Sequence, residues 1–206
     1  MQINYLGHAC FLIKWANNSL VIDPFGNIGY EQEFCDVEYC LTTHDHFDHS
    51  TFTNTKFKYL IDKKCDNLPS FIQVINSYHD EVQGLKRGLN NVYLINVNGI
   101  TICHLGDIGQ DFDFEFCKKL ASADILLIPI GGKYTIDAIT AKKYADAINP
   151  KIIVPMHYKT KSSNIDIATK DEFLSFYTNK LKVEKTFEIV ALPEEQVVYD
   201  VNDNRF

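Results

Sequence analysis

The chain has 206 residues, of which 46% are hydrophobic and 23% charged, with a formal net charge of -7. That composition fits one soluble globular domain spanning 1–206 and excludes a disordered or fibrous chain. No apolar run reaches the roughly 18–20 residues that cross a bilayer. Met1-Gln2-Ile3-Asn4-Tyr5 lacks the basic start and apolar core of a secretory signal, so a cytoplasmic location without a membrane partner is expected. The one basic cluster, Lys56-Phe57-Lys58 with Lys63-Lys64, is short, and a long nucleic acid demands concentrated positive charge. A small-molecule partner is therefore expected, and an anionic one is compatible with the charge. The six cysteines form no C-x-x-C pair and mostly sit among apolar neighbours, which reads as buried free thiols.

In chain order, residues 10–15 and 20–23 read as strands around a turn at Asn17-Asn18. Residues 39–43 form a short strand that runs straight into His44-Asp45-His46-Phe47-Asp48-His49. Residues 91–97 and 100–105 flank Asn98-Gly99, a strong hairpin signal. Beyond Asp111 the pattern alternates: helix over 112–121, buried strand at 124–129, and helix over 138–148 stopped before Pro150. A strand at 151–155, a helix over 170–181 and a strand pair at 186–191 and 196–201 follow. Early strands and late alternation predict a layered α/β protein with helices outside its sheets. Chemistry-bearing residues fall where strands end, at Asp23, His44 to His49, His104 to Asp107 and His157.

Four ligand-type side chains within six residues make the 44–49 segment the centre of the functional reading. On a loop after a strand, His44 and His46 can point one way while Asp48 and His49 serve a second point. Imidazole and carboxylate without thiolate suit zinc, manganese or iron, and disfavour a cysteine-rich structural zinc. A metal pair needs further donors, and His79, Asp107 and His157 each follow an apolar run that could lean them into a shared cleft. His104, three residues before Asp107, competes with His79 for the same place.

These motifs, together with Leu6-Gly7-His8-Ala9-Cys10, Ile22-Asp23-Pro24-Phe25 and Pro155-Met156-His157-Tyr158, resemble the metallo-β-lactamase superfamily. Within it, the similarity is to small metal-dependent hydrolases related to the ascorbate phosphate lactonases. The resemblance implies a four-layer αβ/βα sandwich with the site at one edge of two packed sheets. It implies His44, His46 and His79 on a first metal, Asp48, His49 and His157 on a second, and Asp107 bridging them. Asp48 would also accept or orient a proton of the water between the ions. Asp23 matches the family's aspartate that orients a ligand histidine, with a turn-forming role before Pro24 as the alternative. His104 is left outside the ligands, as a supporting group or a substrate-side acid. His8 is placed beside the cleft, a structural histidine being the alternative.

The function so implied is a metal-activated attack of water on a small ester, lactone or phosphodiester, anionic ones included, with zinc the first choice of ion. Two other classes compete: a metal-binding protein without catalysis, and a di-iron oxidoreductase, which His46 in place of a glutamate disfavours. Arg87 gains from an Arg-Gly pair at the matching place in the family, while Lys86 and Lys159 read as solvated. Gly131-Gly132-Lys133-Tyr134-Thr135 reads first as a tight turn and second as an anion cradle. Specificity is expected from the loops at 26–33 and 159–165.

Overall fold

The computed structural model describes residues 1–62, 65 and 67–202, so Lys63 and Lys64 of the basic cluster lie outside the described residues. Two sheets are stacked on a common core. The first joins β1 (Gln2–Gly7), β2 (Cys10–Trp15), β3 (Asn18–Ile22), β4 (Cys35–Leu41), β5 (Thr55–Ile61) and β12 (Thr186–Glu188), in the order β12-β1-β2-β3-β4-β5. The second joins β6 (Ile72–Tyr78), β7 (Leu89–Val97), β8 (Ile100–His104), β9 (Ile125–Pro129), β10 (Ile152–Met156), β11 (Lys180–Glu184) and β13 (Val197–Asn202), in the order β11-β13-β10-β9-β8-β7-β6.

Alternation along β2 shows how the first sheet is buried on both faces. Phe11 and Ile13 enter the core between the sheets, while Cys10 and Leu12 enter an outer cluster with Leu6, Val21, Phe25 and Ile28. That outer layer is built from the loop after β3, with Phe52, Phe57 and Ile165 packed on it. In the second sheet β9 and β10 are buried throughout and pair in parallel, as continuous apolar runs predict. Helix α2 (Ala138–Ile148) buries the stripe Ala138, Ala141, Tyr144, Ala145 and Ile148 against it. Asp137 caps that helix by accepting from Thr140 N–H, and Asn149 ends it in a left-handed turn before Pro150. The layered α/β sandwich is thus as expected, and five of the six cysteines are buried free thiols, with Cys65 half-buried.

Several elements differ from the sequence expectation. The helix expected over 112–121 is shortened to α1 (Phe114–Lys118), begun by an Asp113 cap. The helix expected over 170–181 stops as α3 (Asp171–Ser175), and Lys180–Glu184 is an exposed strand instead. Its composition suits a helix, but parallel pairing with β13 supplies hydrogen bonds that local propensity does not reveal. Strands β1 and β5 were not anticipated, and β6 showed only as an apolar run. The first turn is displaced by one residue, with Ala16 taking the positive φ of 45°. Among the described residues no helix is long and apolar enough to cross a membrane.

Parallel register brings the ends of β3 and β4 together, and likewise those of β8, β9 and β10. With β1 and β6, these ends form the edge where the two sheets meet the histidine loop.

Candidate metal centre

Each candidate donor lies just past a strand: His8 after β1, Asp23 after β3, the 44–49 loop after β4, His79 after β6, Asp107 after β8 and His157 after β10. His8, Asp23 and His157 have φ of 55°, 51° and 51°. A non-glycine residue adopts that backbone at a cost of about 1–2 kcal/mol, and such strain gathers where a side chain must be aimed. The 44–49 loop is a helical turn: the His46 carbonyl accepts from His49 N–H and Ser50 N–H, both at 2.9 Å. Gly26 N–H holds the Phe47 carbonyl from outside at 3.1 Å.

Two groups of donors converge on one carboxylate. The rings of His44, His46 and His79 form the first group, with centroids 4.6 to 5.0 Å apart. The second comprises His8, Asp48, His49 and His157, whose ligand atoms all lie within 4.8 Å of one another. Asp107 Oδ2 stands between them, 3.1 Å from His49 Nε2, 3.2 Å from His157 Nε2, 3.5 Å from His79 Nε2 and 3.9 Å from His44 Nε2. Buried His44 Nε2, His49 Nε2 and Asp107 Oδ1 have no hydrogen-bond partner. Buried polar atoms are rarely left so, and this donor set fits divalent cations.

A second tier fixes the ring nitrogens. Asp23 Oδ1 accepts from Thr43 N–H at 2.7 Å, and Oδ2 accepts from the Thr43 hydroxyl at 2.8 Å and from His49 Nδ1–H at 2.9 Å. With its proton committed to Asp23, Thr43 Oγ1 accepts from His44 Nδ1–H at 2.9 Å. One carboxylate thus commits Nδ1–H of both rings and turns Nε2 of His49 and His44 toward Asp107, the nitrogen each would offer an ion. Thr43 was not singled out in the sequence, where a threonine ending a strand carries no signal. Asn90 was missed too, although the adjacent pair Asn90-Asn91 opening the apolar run of β7 was a signal for buried polar work. Its Oδ1 accepts from Asp107 N–H at 2.9 Å and its amide donates to the Leu105 carbonyl at 2.8 Å. At Gly106, φ is 56° and a Cβ would stand 2.3 Å from Asn90 Oδ1, so only glycine fits this approach.

Burial keeps His44 and His79 neutral, with pKa values below the ordinary imidazole range. Burial, with His157 close by, lowers His8 to about 4. His49 goes the other way: burial opposes its charge, but Asp107 and Asp23 hold its pKa well above normal. Burial disfavours the Asp107 carboxylate, yet His157 and His49 keep it ionised. Asp48 is also held low against burial, by its hydrogen bond with His8 and by His49. Ionised Asp48 and Asp107 beside the neutral rings of His8, His44 and His79 make a locus that attracts cations.

His104 is fully buried, and both ring nitrogens are occupied: Nε2–H donates to the Ala9 carbonyl at 2.8 Å and Nδ1 accepts from Gly106 N–H at 3.1 Å. It supports the turn that presents Asp107, and neither ring nitrogen is free for an ion or a substrate proton. His79 occupies the place the two histidines contested.

A cavity of about 660 Å³ opens over the first group, lined by His46, Asp48, His79, Arg87, Asp107 and Tyr134, with Ile165 at its side. Asp80 accepts from the backbone N–H groups of Val82, Gly84, Lys86 and Arg87 at 2.7 to 3.0 Å, so the turn carrying Arg87 is fixed. The guanidinium lies 5.6 Å from the Tyr134 ring centroid and donates to the Lys133 carbonyl. Among the described residues it forms no ion pair, and it is the only cationic side chain other than histidine lining this cavity. Lys159 instead donates to the Ser163 and Ile165 carbonyls. The glycine pair at 131–132 makes a turn, and Asp137 serves the N-terminus of α2. The 159–165 loop reaches the cavity through Asn164 and Ile165, whereas the 26–33 loop does not. Its Ile28 carbonyl accepts from Asn164 N–H at 2.7 Å, so it props the loop that does.

Comparison with known proteins places this arrangement. A family model described as beta-lactamase superfamily domain matches residues 2–157. A UPF0173 metal-dependent hydrolase of Nanoarchaeum equitans is 31% identical over 190 residues, covering 78% of this chain and 85% of its own. One from Pyrococcus abyssi is 28% identical, covering 96% of this chain and 99% of its own. A crystal structure from Thermotoga maritima, assigned to the Zn-dependent hydrolases of the metallo-beta-lactamase superfamily, superposes with a TM-score of 0.79. It is 30% identical, covering 98% of this chain and 99% of its own.

Proposed function

The chain belongs to the metallo-β-lactamase superfamily, and from that premise we propose that it is a metal-dependent hydrolase with a two-ion centre. The observation that carries this reading is Asp107 Oδ2, which lies 3.1 to 3.9 Å from ring nitrogens of four histidines delivered by three different strands. His44, His46 and His79 would hold one ion, Asp48, His49 and His157 the other, and Asp107 both. Zinc is the first choice for such donors, with manganese and iron using the same atoms. Paired divalent cations, when bound, make water a nucleophile near neutral pH and polarise the oxygen of the bond to be broken.

The chain's own residues supply the rest. Asp107 offsets the repulsion of two cations. Asp48, ionised and partly open to the cavity, accepts or orients a proton. Asp23 holds the tautomers of two ligands, and Asn90 holds the turn of the bridging carboxylate. The substrate is a small ester, lactone or phosphodiester that fits about 660 Å³. Arg87, fixed and unpaired at the cavity wall, favours an anionic member of that class.

The test is metal analysis of the wild type beside His46→Ala and Asp107→Ala, with a panel of esters, lactones and phosphodiesters. About two ions per chain, lost in the variants together with turnover, is the expected result. A folded metal-free chain that takes up neither zinc nor manganese would sink the reading. Ions retained without turnover across the panel would favour a metal-binding role.

A further inference from the structure

The second group holds one more donor than the expected set. Within the two-ion reading, we infer that His8 is a direct ligand of the second ion, making that site His8, Asp48, His49, His157 and the shared Asp107. His8 Nε2 lies 3.2 Å from Asp48 Oδ2, and the four donors of the group are within 4.8 Å of one another. Two donors bound to one ion at about 2.1 Å stand roughly 3.0–3.5 Å apart, so this spacing is that of neighbouring ligands. The His8 ring packs on those of His157 and His49, with centroids at 4.1 and 5.1 Å.

The backbone aims it there. His8 holds a φ of 55°, and its carbonyl is gripped from two sides, by the Tyr5 hydroxyl at 2.9 Å and by His157 N–H at 2.8 Å. One ligand of the second ion thus holds another in place, a constraint that packing alone does not require.

The cavity supports the same division. His46 and His79 of the first group line the 660 Å³ space, whereas His8, His49 and His157 do not. Asp48 and Asp107 line it as well, so the second group meets the cavity through carboxylates alone, whereas the first presents two imidazoles to it.

A competing role is that His8 merely donates a hydrogen bond to the Asp48 carboxylate. His8→Asn, whose residue type tolerates positive φ, and His8→Gln, which can still reach Asp48 with an amide N–H, separate the two. The measurements are stepwise zinc affinities by chelator competition and the imidazole count per zinc by X-ray absorption. For a ligand, both variants weaken one of the two ions by more than the roughly 10–100-fold that an outer partner costs, and the imidazole count falls. Affinity in His8→Gln within about tenfold of wild type, with an unchanged imidazole count, overturns the assignment. A wild type that binds only one ion overturns the two-ion reading itself, and the two failures are told apart by wild-type stoichiometry.

Discussion

Asp23→Asn tests how much of the centre depends on a residue that touches no ion. The change is isosteric, and asparagine tolerates the φ of 51° at this position. The new amide oxygen can still accept from Thr43 N–H, as Asp23 Oδ1 does at 2.7 Å. Its NH₂ group, however, replaces the oxygen that accepts from His49 Nδ1–H at 2.9 Å and from the Thr43 hydroxyl at 2.8 Å. Facing a donor, His49 Nδ1 loses its proton and becomes an acceptor, and the one ring proton left sits on Nε2, the nitrogen turned toward Asp107. Thr43 Oγ1 now accepts from the introduced amide and directs its own proton at His44 Nδ1, so His44 changes tautomer as well. One substitution thus blocks a ligand lone pair in each donor group.

Outer partners of ligating histidines are worth roughly 10–100-fold in metal affinity, or about 1.4–2.7 kcal/mol per site. Asp23→Asn is therefore expected to weaken both ions by that factor in chelator competition while the metal-free chain stays folded by circular dichroism. Nitrogen NMR of the metal-free protein reads the ring protons directly: neutral His44 should shift its proton from Nδ1 to Nε2, and His49 should lose its Nδ1 proton. Affinities within about twofold of wild type, with ring nitrogen signals unmoved, would refute the tautomer relay.

Three further outcomes follow from the same geometry. His104→Ala leaves the Ala9 carbonyl and Gly106 N–H buried without partners, about 1–3 kcal/mol each, so its melting temperature falls with metal stoichiometry unchanged. His79→Ala instead loses the first ion, and an inverted pattern in metal analysis would restore His104 as ligand. Because Asp107 and Asp23 outweigh burial and raise His49, its proton stabilises the metal-free fold at low pH, and that contribution is lost as pH rises through the raised value. Metal uptake must expel that proton, so affinity for the second ion falls as pH drops, and calorimetry in buffers of different ionisation enthalpy should detect proton release. Arg87→Gln should raise KM for anionic substrates about 10–100-fold, the worth of a charge-assisted hydrogen bond, and leave neutral analogues unaffected in steady-state assays.

The candidate donors were more legible in the sequence than the structure around them. His44 to His49 stood out because their chemistry is compressed into one loop, and His79, Asp107 and His157 because each ends an apolar run. Helix α2 was legible to the residue, since its cap, stripe and stop are all local. The strand Lys180–Glu184 was not, because its partner lies well over ten residues away and its side chains are mostly exposed. His79 and His104 could not be ranked from spacing, because one follows an apolar strand and the other ends one. What separates them is the Ala9 carbonyl, 95 positions from His104 along the chain. Thr43 was silent for the same reason, and Asn90 signalled only a buried polar group: their roles exist only once β4, β7 and β8 are side by side.

The strain at His8, Asp23 and His157 gives the centre a thermodynamic meaning. Three positive-φ residues at about 1–2 kcal/mol each are a substantial fraction of the roughly 5–15 kcal/mol by which a domain is stable. Asp48 and Asp107 add carboxylates that burial disfavours, with ring nitrogens of His44 and His49 left unpaired beside them. In the metal-free chain only the contacts of these carboxylates with neighbouring histidines offset such costs. Each feature becomes favourable once cations bind, because the strained backbones already aim the donors and the carboxylates meet opposite charge. Binding to the folded state alone then adds stability in proportion to the logarithm of ion concentration over Kd. The His8 carbonyl, held by His157 N–H, shows the coupling most directly, since strain at one donor is maintained by the backbone of another.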